Sequence, residues 1–246
     1  MLDGGTTMDA LFGGALALAQ PRVGYRVNVD SLLLAAFAVR ERTSSLGVDL
    51  GSGVGALGLA LAAVGAVHAL GLVEADPALA ALAQQNLEQN HAKGTVFSCD
   101  LVRQKLPQAL RQRAELVVCN PPFFSPGRGT PAHDPSRRQA RSGSLEPFLR
   151  AARAALSGPR ARAAFCYPAA ALTELFTAAT DVGLVPKRLR LVHPRAGDPA
   201  RLALVELRAA KPGGLVVSPP LVEWEGRARS PELARIVAGR FGRNAG

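Results

Sequence analysis

Short apolar runs alternate with longer alanine- and leucine-rich stretches from residue 46 onward. The short runs contain many β-branched residues and end at glycine, proline or aspartate, a pattern typical of buried strands. The pattern predicts strands at residues 46–51, 66–74, 95–98, 115–119, 161–167, 187–193 and 201–208. It predicts helices between them at residues 56–64, 77–91, 104–111, 145–156 and 169–182. Strands that alternate with helices predict a doubly wound, mainly parallel α/β sheet.

Smaller elements are predicted on either side of this alternation. A helix that runs to about Arg40 should precede the first strand, with Asp30 or Ser31 as its N-cap. The link between the last two long strands is short and rich in turn residues, which predicts an antiparallel pair at or near one edge of the sheet. Later in the chain the pattern predicts strands at residues 215–217 and 221–225, and a final helix at 231–240 capped by Ser230.

A glycine-rich turn follows the first long strand. Gly53, Gly55 and Gly58 have the spacing of a dinucleotide-binding fingerprint, and Glu74 lies at the distance along the chain where a carboxylate accepts from ribose hydroxyls. A nicotinamide-dependent dehydrogenase is therefore one candidate. Asp49 inside the strand favours a cationic ligand over a pyrophosphate, and this argues against the dehydrogenase.

Two further polar residues follow predicted strands. Asp100 comes directly after the third strand, where it can accept from an adenine amino group or cap a turn. Asn120 ends the fourth strand and is followed by Pro121 and Pro122, which cannot donate to a sheet ladder. Ligands bind at the carboxyl ends of strands in open α/β sheets. An amide, free carbonyls and the ring of Phe123 at this edge suit an exocyclic amino group on a flat heterocycle.

The order and spacing of these motifs resemble the class I methyltransferases that use S-adenosylmethionine. The resemblance rests on the segment from Asp49 to Gly55, on Glu74 and Asp100, and on the Asn-Pro-Pro-Phe motif that begins at Asn120. Within this class the chain is similar to the bacterial tRNA1(Val) (adenine-N6)-methyltransferases. The segment from Gln20 to Leu34 carries an N-terminal signature similar to theirs.

The resemblance implies a seven-stranded, mostly parallel sheet with one antiparallel strand. It implies that residues 1–45 form a strand and helix extension packed on the core, and that residues 46–246 form the methyltransferase domain. The implied cofactor contacts are Asp49 near the methionine ammonium, the backbone amides around Gly51 and Gly53 near the methionine portion, Glu74 on the ribose, and Asp100 with the Leu101 amide on the adenine. The implied catalytic groups are the Asn120 side chain and the Pro121 carbonyl on the acceptor amine, with Phe123 stacked on the base.

The charge of the chain favours a polyanionic partner. The formal net charge is +10, carried almost wholly by arginine, and such a balance is typical of proteins that bind nucleic acid or acidic membranes. Candidates for phosphate contacts are Arg128, Arg137, Arg138 and Arg141 in the long segment after Phe124. Together with this charge, the resemblance implies tRNA as the partner. Guanine N2 in ribosomal RNA, a glutamine amide in a protein, and a non-catalytic RNA-binding module are the alternatives.

Other features of the composition restrict the class of protein. A chain of 246 residues fits one large domain. Its three cysteines lie in apolar runs, which predicts buried reduced thiols in a cytoplasmic protein. The four histidines are scattered and predict no metal site, and the start of the chain resembles no secretory signal. We expect a monomer.

One stretch is long and apolar enough to span a membrane. Val54 to Val73 is interrupted only by His68. It contains four glycines, however, and divides at Gly65 into a helix and a strand. We therefore expect no membrane segment here.

Overall fold

A central sheet of seven long strands organises the chain, of which the computed structural model describes residues 5–24, 26–121 and 145–242. Two strands precede it as a hairpin, β1 (Thr6–Leu11) and β2 (Leu16–Pro21). The sheet strands are β3 (Ser44–Leu50), β4 (Val67–Glu74), β5 (Gly94–Ser98), β6 (Leu116–Cys119), β7 (Arg162–Pro168), β8 (Val185–His193) and β9 (Leu202–Arg208). Their spatial order is β8-β9-β7-β6-β3-β4-β5, and only β9 runs antiparallel among them.

Helices cover both faces of the sheet, as expected for a doubly wound fold. They are α1 (Val29–Ala38), α2 (Ala56–Ala63), α3 (Pro77–Gln89), α4 (Glu146–Ala155), α5 (Leu172–Asp181) and α6 (Pro231–Val237). Residues of α1, α2, α3 and α6 share one buried apolar cluster, and residues of α4 and α5 share the cluster on the opposite face. The α/β fold class and the late antiparallel strand agree with the sequence-based prediction, and the antiparallel strand lies between β8 and β7. Two short strands that pair with β8 bring the sheet to nine strands, where the resemblance implied seven.

Small strands complete the C-terminal part. β10 (Val216–Val217) and β11 (Leu221–Val222) each pair in parallel with β8. β12 (Trp224–Glu225) and β13 (Ala228–Arg229) form a separate hairpin before α6. The predicted strand at 221–225 is thus two strands in different sheets. The N-cap prediction for α6 is confirmed, because Ser230 Oγ accepts from the Leu233 amide at 3.2 Å.

Two local predictions are wrong. Residues 104–111 form no α-helix and contain only a short 3-10 turn, Gln108–Leu110. The N-cap of α1 is Asn28, whose side chain accepts from the Asp30 amide at 3.1 Å. Asparagine caps helices as well as aspartate does, so the signal was present two residues earlier than predicted.

The N-terminal hairpin is fixed to α3 by two asparagines. Asn86 is fully buried, exchanges two hydrogen bonds with the backbone of Ala19, and donates to the Val54 carbonyl at 2.9 Å. Asn90 makes the equivalent exchange with Ala17. These amides supply the partners that a neighbouring strand would otherwise give to β2. The same contacts connect the hairpin to the glycine-rich turn at Val54.

The apolar stretch at residues 54–73 forms α2 and β4, with the chain turning at Gly65, as predicted. Across the described ranges, no helix combines the length and the apolar character needed to cross a membrane. Phe123 and the four candidate arginines of the following segment lie outside the described residues.

Candidate active site

Four predicted site segments follow four neighbouring parallel strands. The glycine turn follows β3, Glu74 ends β4, Asp100 follows β5 and Asn120 follows β6. The carboxyl ends of parallel strands meet at one edge of a sheet, where ligands bind in open α/β folds. The sheet order β6-β3-β4-β5 therefore brings all four segments together along that edge.

The turn after β3 has the backbone that only glycine adopts easily. Gly51, Gly53 and Gly55 all have positive φ, at 69°, 55° and 85°. The amides of Gly51 and Ser52 donate to the Val73 carbonyl, at 2.9 and 3.0 Å. These two N–H groups are thus used inside the protein, and so is that of Gly53, which donates to Glu74. The amides expected to approach the methionine portion therefore already have acceptors in the protein. The turn can offer a ligand its close backbone surface and its carbonyl oxygens.

Ser52 gives this turn an unused polar atom. Its hydroxyl oxygen is buried and has no hydrogen-bond partner among the described residues. A buried hydroxyl without a partner is costly, and a polar ligand on the turn would remove that cost. Phe148 of α4 lies against the same turn, since a Cβ placed on Gly51 would be 3.2 Å from its ring. No motif in the sequence indicated a role for Phe148.

Asp49 lies beneath the turn and is only 1% exposed. Its Oδ2 accepts from the Gly58 amide at 2.9 Å, so it caps the start of α2, whose N-cap residue Gly55 has no side chain to do so. Burial raises the pKa of Asp49 to about 7, the Gly58 hydrogen bond opposes this shift, and the nearby Glu74 charge adds to it. A positive charge close to Asp49 would therefore stabilise its ionised form.

Glu74 joins the turn to the start of α3. Its carboxylate accepts from the Gly53 amide at 2.7 Å and from the Asp76 amide at 2.9 Å. Burial raises the pKa of Glu74, while these backbone hydrogen bonds lower it. The side chain is partly exposed, and a carboxylate has lone pairs for more than two donors. Its geometry leaves it able to accept from further hydroxyl groups.

Asp100 and Leu101 lie at the end of β5. Asp100 Oδ1 accepts from the Val102 amide at 2.9 Å, and Oδ2 is 3.5 Å from Arg103 Nε. Asp100 therefore does cap a turn, and it remains partly exposed. The Leu101 side chain is buried, and its amide donates to no acceptor among the described residues. An amide donor and a carboxylate side by side can pair with the edge of an adenine.

Asn120 ends β6 beside the start of α1. Its Nδ2 donates to Ser31 Oγ at 3.3 Å. Its Oδ1 accepts no hydrogen bond from the described residues. Pro121 is buried and directly follows. In this arrangement the amide nitrogen faces Ser31, and the amide oxygen is left for a donor. Sequence reasoning considered Ser31 only as a helix cap.

The start of α1 is itself held in place by an ion-pair network. Asp30 Oδ1 accepts from Arg201 at 2.7 Å, and Arg201 also donates two hydrogen bonds to Glu223, both at 2.6 Å. These bonds, first those to Glu223, raise the pKa of the Arg201 guanidinium. Asp30 is therefore an ion-pair partner and not the N-cap. No local sequence pattern connects residues this far apart.

The cysteines, and the histidines that the structure describes, contribute no side chain to this arrangement. Cys99, Cys119 and Cys166 are buried and unbridged, as predicted, and burial raises the pKa of each thiol. Within residues 5–24, 26–121 and 145–242, no group of three or more histidine, cysteine or acidic side chains could hold a metal ion.

Comparison with known proteins identifies the family. A model of the Methyltransferase small domain matches residues 26–133, a range that includes all four strand-end segments. A tRNA1(Val) (adenine(37)-N6)-methyltransferase of Porphyromonas gingivalis is 30% identical over 193 residues, 75% of each chain. This chain belongs to that methyltransferase family. The family resemblance stated from the motifs is thereby confirmed, and with it S-adenosylmethionine as the cofactor of the family.

Other relatives of this methyltransferase family match to different extents. The protein of the same name from Edwardsiella ictaluri is 29% identical over 191 residues, 76% of each chain. That of Cronobacter sakazakii is 34% identical over 127 residues. In that case the match spans about half the length of the relative.

Solved structures support the methyltransferase fold. Atu636 of Agrobacterium tumefaciens, described as a predicted O-methyltransferase, has a TM-score of 0.67 and 24% identity, and the match covers 87% of this chain and 97% of that one. M. jannaschii TYW2 in complex with AdoMet has a TM-score of 0.55 and 14% identity, with 82% and 84% covered. At such identities the likeness concerns the fold alone.

Proposed function

We propose that this protein transfers the methyl group of S-adenosylmethionine to the N6 amine of an adenine in tRNA. The observation that carries the proposal is the Asn120 amide, held by Ser31 at the end of β6 with its oxygen free to accept. The activity for which the P. gingivalis relative is named supports the same reaction. A net charge of +10 fits a nucleic-acid substrate.

The chemistry needs an acceptor pair at the amine. The N6 lone pair of adenine is delocalised into the ring, so the amine is a weak nucleophile. Hydrogen bonds from its two protons to Asn120 Oδ1 and the Pro121 carbonyl would favour a tetrahedral nitrogen and direct the lone pair toward the methyl group. The rate enhancement comes from the positioning of the amine and from protein dipoles that are already oriented toward it. The nitrogen bonds to the methyl carbon, the carbon–sulfur bond breaks with its electrons going to sulfur, and the amine then loses a proton.

The described residues along the sheet edge fit the cofactor. S-adenosylmethionine supplies an electrophilic methyl group on a sulfonium, together with an ammonium, ribose hydroxyls and an adenine. We assign the ammonium to the surroundings of Asp49, and the methionine portion to the turn at Gly51 and Gly53. We assign the ribose to Glu74 and the adenine to Asp100 with the Leu101 amide. The unpartnered Ser52 hydroxyl is the independent indication of a polar ligand on this turn.

A base that reaches Asn120 must leave its stack. Bases in loops are extruded at lower cost than bases in duplexes, so an unpaired loop adenine is the expected target. We retain Phe123 as the aromatic partner of the base and the arginines between residues 128 and 141 as phosphate contacts. Both assignments remain predictions, as do the division at residue 45, the cytoplasmic location and the monomeric state.

Product analysis tests the proposed function directly. The protein is incubated with S-adenosylmethionine labelled in the methyl group and with unmodified bulk tRNA, and the RNA is digested to nucleosides. We expect the label in N6-methyladenosine. Label in N2-methylguanosine, or label only in added protein substrates, would contradict the proposal and favour one of the other acceptors.

The variant Asn120→Ala tests the acceptor mechanism. Loss of one preorganised hydrogen bond in a transition state typically lowers kcat by about 10²–10³-fold. Cofactor affinity, measured by calorimetry, should stay within about threefold, since Asn120 is assigned no contact with the cofactor. Unchanged turnover in this variant would overturn the role of Asn120.

A further inference from the structure

The hairpin β12–β13 lies at the same edge of the sheet as the candidate site. The Trp224 amide donates to the Pro194 carbonyl at 3.0 Å, and the Glu223 amide donates to the His193 carbonyl at 2.9 Å. His193 is the last residue of β8, which runs parallel to β3 through β7. The hairpin therefore begins beside the carboxyl end of a parallel strand, where the Asn120 edge of the sheet also lies.

Side-chain contacts brace the hairpin against the site. Glu223, the residue before the hairpin, is buried and accepts two hydrogen bonds from Arg201. Arg201 also donates to Asp30, whose neighbour Ser31 holds the Asn120 amide. The Ser230 amide closes the other end by donating to the Glu223 carbonyl at 2.9 Å. A continuous set of partly buried contacts thus sets the position of the hairpin relative to Asn120.

The outer surface of the hairpin combines an aromatic ring with arginines. Trp224 and Arg229 are direct cross-strand partners, so their side chains leave the same face. Trp224 is 39% exposed, an unusual position for the single tryptophan of the chain. Arg227 and Arg229 are exposed and make no ion pair with any described residue. Glu225 points to the opposite face, since successive strand residues alternate.

We propose that the hairpin surface formed by Trp224, Arg227 and Arg229 binds the unpaired RNA nucleotides that flank the target adenine. Trp224 stacks on a base, and the two arginines contact backbone phosphates. An exposed ring beside arginines is the combination that single-stranded nucleic acid requires. The inference rests on the proposed function, because it assumes an RNA substrate at Asn120.

The wild-type protein itself provides a direct test. Trp224 is the only tryptophan, so the intrinsic tryptophan emission reports on this hairpin alone. An unmodified tRNA anticodon stem-loop is titrated into the protein at low salt, with correction for absorbance by the RNA. We expect saturable quenching that follows the binding curve obtained from fluorescence anisotropy of a labelled stem-loop. Binding by anisotropy without any change in tryptophan emission would overturn the inference.

Variants of the hairpin test how much Trp224 and the two arginines contribute to RNA affinity. Removal of a stacked aromatic side chain typically weakens single-strand binding by about tenfold or more. Trp224→Ala should therefore raise the Kd for the stem-loop by at least that factor. Trp224→Phe keeps an aromatic ring and should retain most of the affinity. The double change Arg227→Gln and Arg229→Gln should lower the slope of log Kd against log salt by about 1.4, from about 0.7 per phosphate contact.

Matched controls separate the hairpin from general charge. Arg113 and Arg160 are exposed and precede β6 and β7, at the opposite edge of the sheet. The double change Arg113→Gln and Arg160→Gln removes the same charge and should leave the salt slope almost unchanged. Equal effects in both pairs would overturn the inference, since the hairpin would then contribute charge alone.

The outcome is distinguishable from failure of the proposed function. If the wild-type protein does not methylate tRNA, the proposed function fails. If it methylates tRNA and the hairpin variants bind RNA as tightly as the wild type, only the hairpin inference fails. Cofactor affinity and thermal unfolding of each variant verify that the fold is retained. If a variant unfolds, the fluorescence titration of the wild-type protein still tests the hairpin inference.

Discussion

The Asn120 amide nitrogen donates to the Ser31 hydroxyl at 3.3 Å, across 89 residues of sequence. This contact joins the end of β6 to the first turn of α1. Because Ser31 is buried, water competes little with Asn120 for a hydrogen bond to the Ser31 hydroxyl. The hydrogen bond orients Asn120 and makes Ser31 a positioning residue for the proposed methyl transfer.

The variant Ser31→Ala should lower kcat with little effect on substrate KM. A buried neutral hydrogen bond contributes about 1 kcal/mol, and its loss allows the amide to rotate, so we expect a decrease of about 5- to 20-fold. Ser31→Thr keeps a hydroxyl and should recover much of the rate. Steady-state kinetics on tRNA provides the measurement. An equal loss in both variants would show that the site requires the volume of serine and not its hydroxyl.

Asp49 should make cofactor affinity depend on pH. Its pKa of about 7 in the free protein means that it is largely protonated below that pH. A bound ammonium favours the ionised form, so the Kd for S-adenosylmethionine should fall by up to about tenfold per pH unit as pH rises toward 7. Calorimetry between about pH 5.5 and 7.5 measures this dependence. Asp49→Asn should abolish it, and an equal slope in both proteins would contradict the assignment.

Asp49 should also make the stability of the fold depend on pH. As pH rises toward 7, the free energy of unfolding should decrease, whereas cofactor affinity should increase. The pKa of Asp49 in the folded protein, about 7, lies above the ordinary value of 3.8, so the folded state binds the proton more tightly. Its contribution is fully present below about pH 4 and is lost as pH rises through 7, by at most about 4 kcal/mol. Urea unfolding at several pH values should show a smaller decrease in this window for Asp49→Asn than for the wild type.

Glu74→Ala should weaken cofactor binding by about 10- to 100-fold. The carboxylate supports the Gly53 and Asp76 amides and is assigned to the ribose, and hydrogen bonds to charged groups contribute about 1.5–3 kcal/mol each. Glu88→Ala is the control, because Glu88 is exposed on α3 and its carboxylate hydrogen-bonds, among the described residues, to Gln84 alone. Intact affinity in Glu74→Ala would remove Glu74 from the cofactor site.

Gly55→Ala should destabilise the fold. Gly55 has a φ of 85°, and an added Cβ would lie 2.9 Å from the buried Leu72 side chain. A left-handed alanine costs about 1–2 kcal/mol and overpacking about 1–3 kcal/mol, so we expect a loss of about 2–5 kcal/mol in the free energy of unfolding. Gly158→Ala, where a Cβ meets nothing within 4 Å, should change it by less than about 0.5 kcal/mol. Equal unfolding midpoints would contradict this account.

The order of the elements could be predicted from local pattern. The helix that starts at Pro77 with Asp76 as its cap is confirmed, with Asp76 Oδ1 accepting from the Ala78 amide at 2.8 Å. Short-range signals of this kind depend on neighbouring residues alone. The prediction for residues 104–111 failed because their polar pattern resembles a helix, while the chain there covers the sheet with a 3-10 turn and leaves Leu106 and Leu110 buried in the core.

The strands, the glycine turn and the proline stop after Asn120 could be predicted from sequence because each depends on local backbone preference, and the acidic residues could be placed at the strand ends in the same way. The partners of these side chains depend on the folded chain. Asp49 caps α2, Glu74 holds the Gly53 amide, Ser31 holds Asn120, and Arg201 joins Asp30 to Glu223. These contacts are set by the order of strands in the sheet, which brings together residues whose spacing along the chain carries no periodic signal.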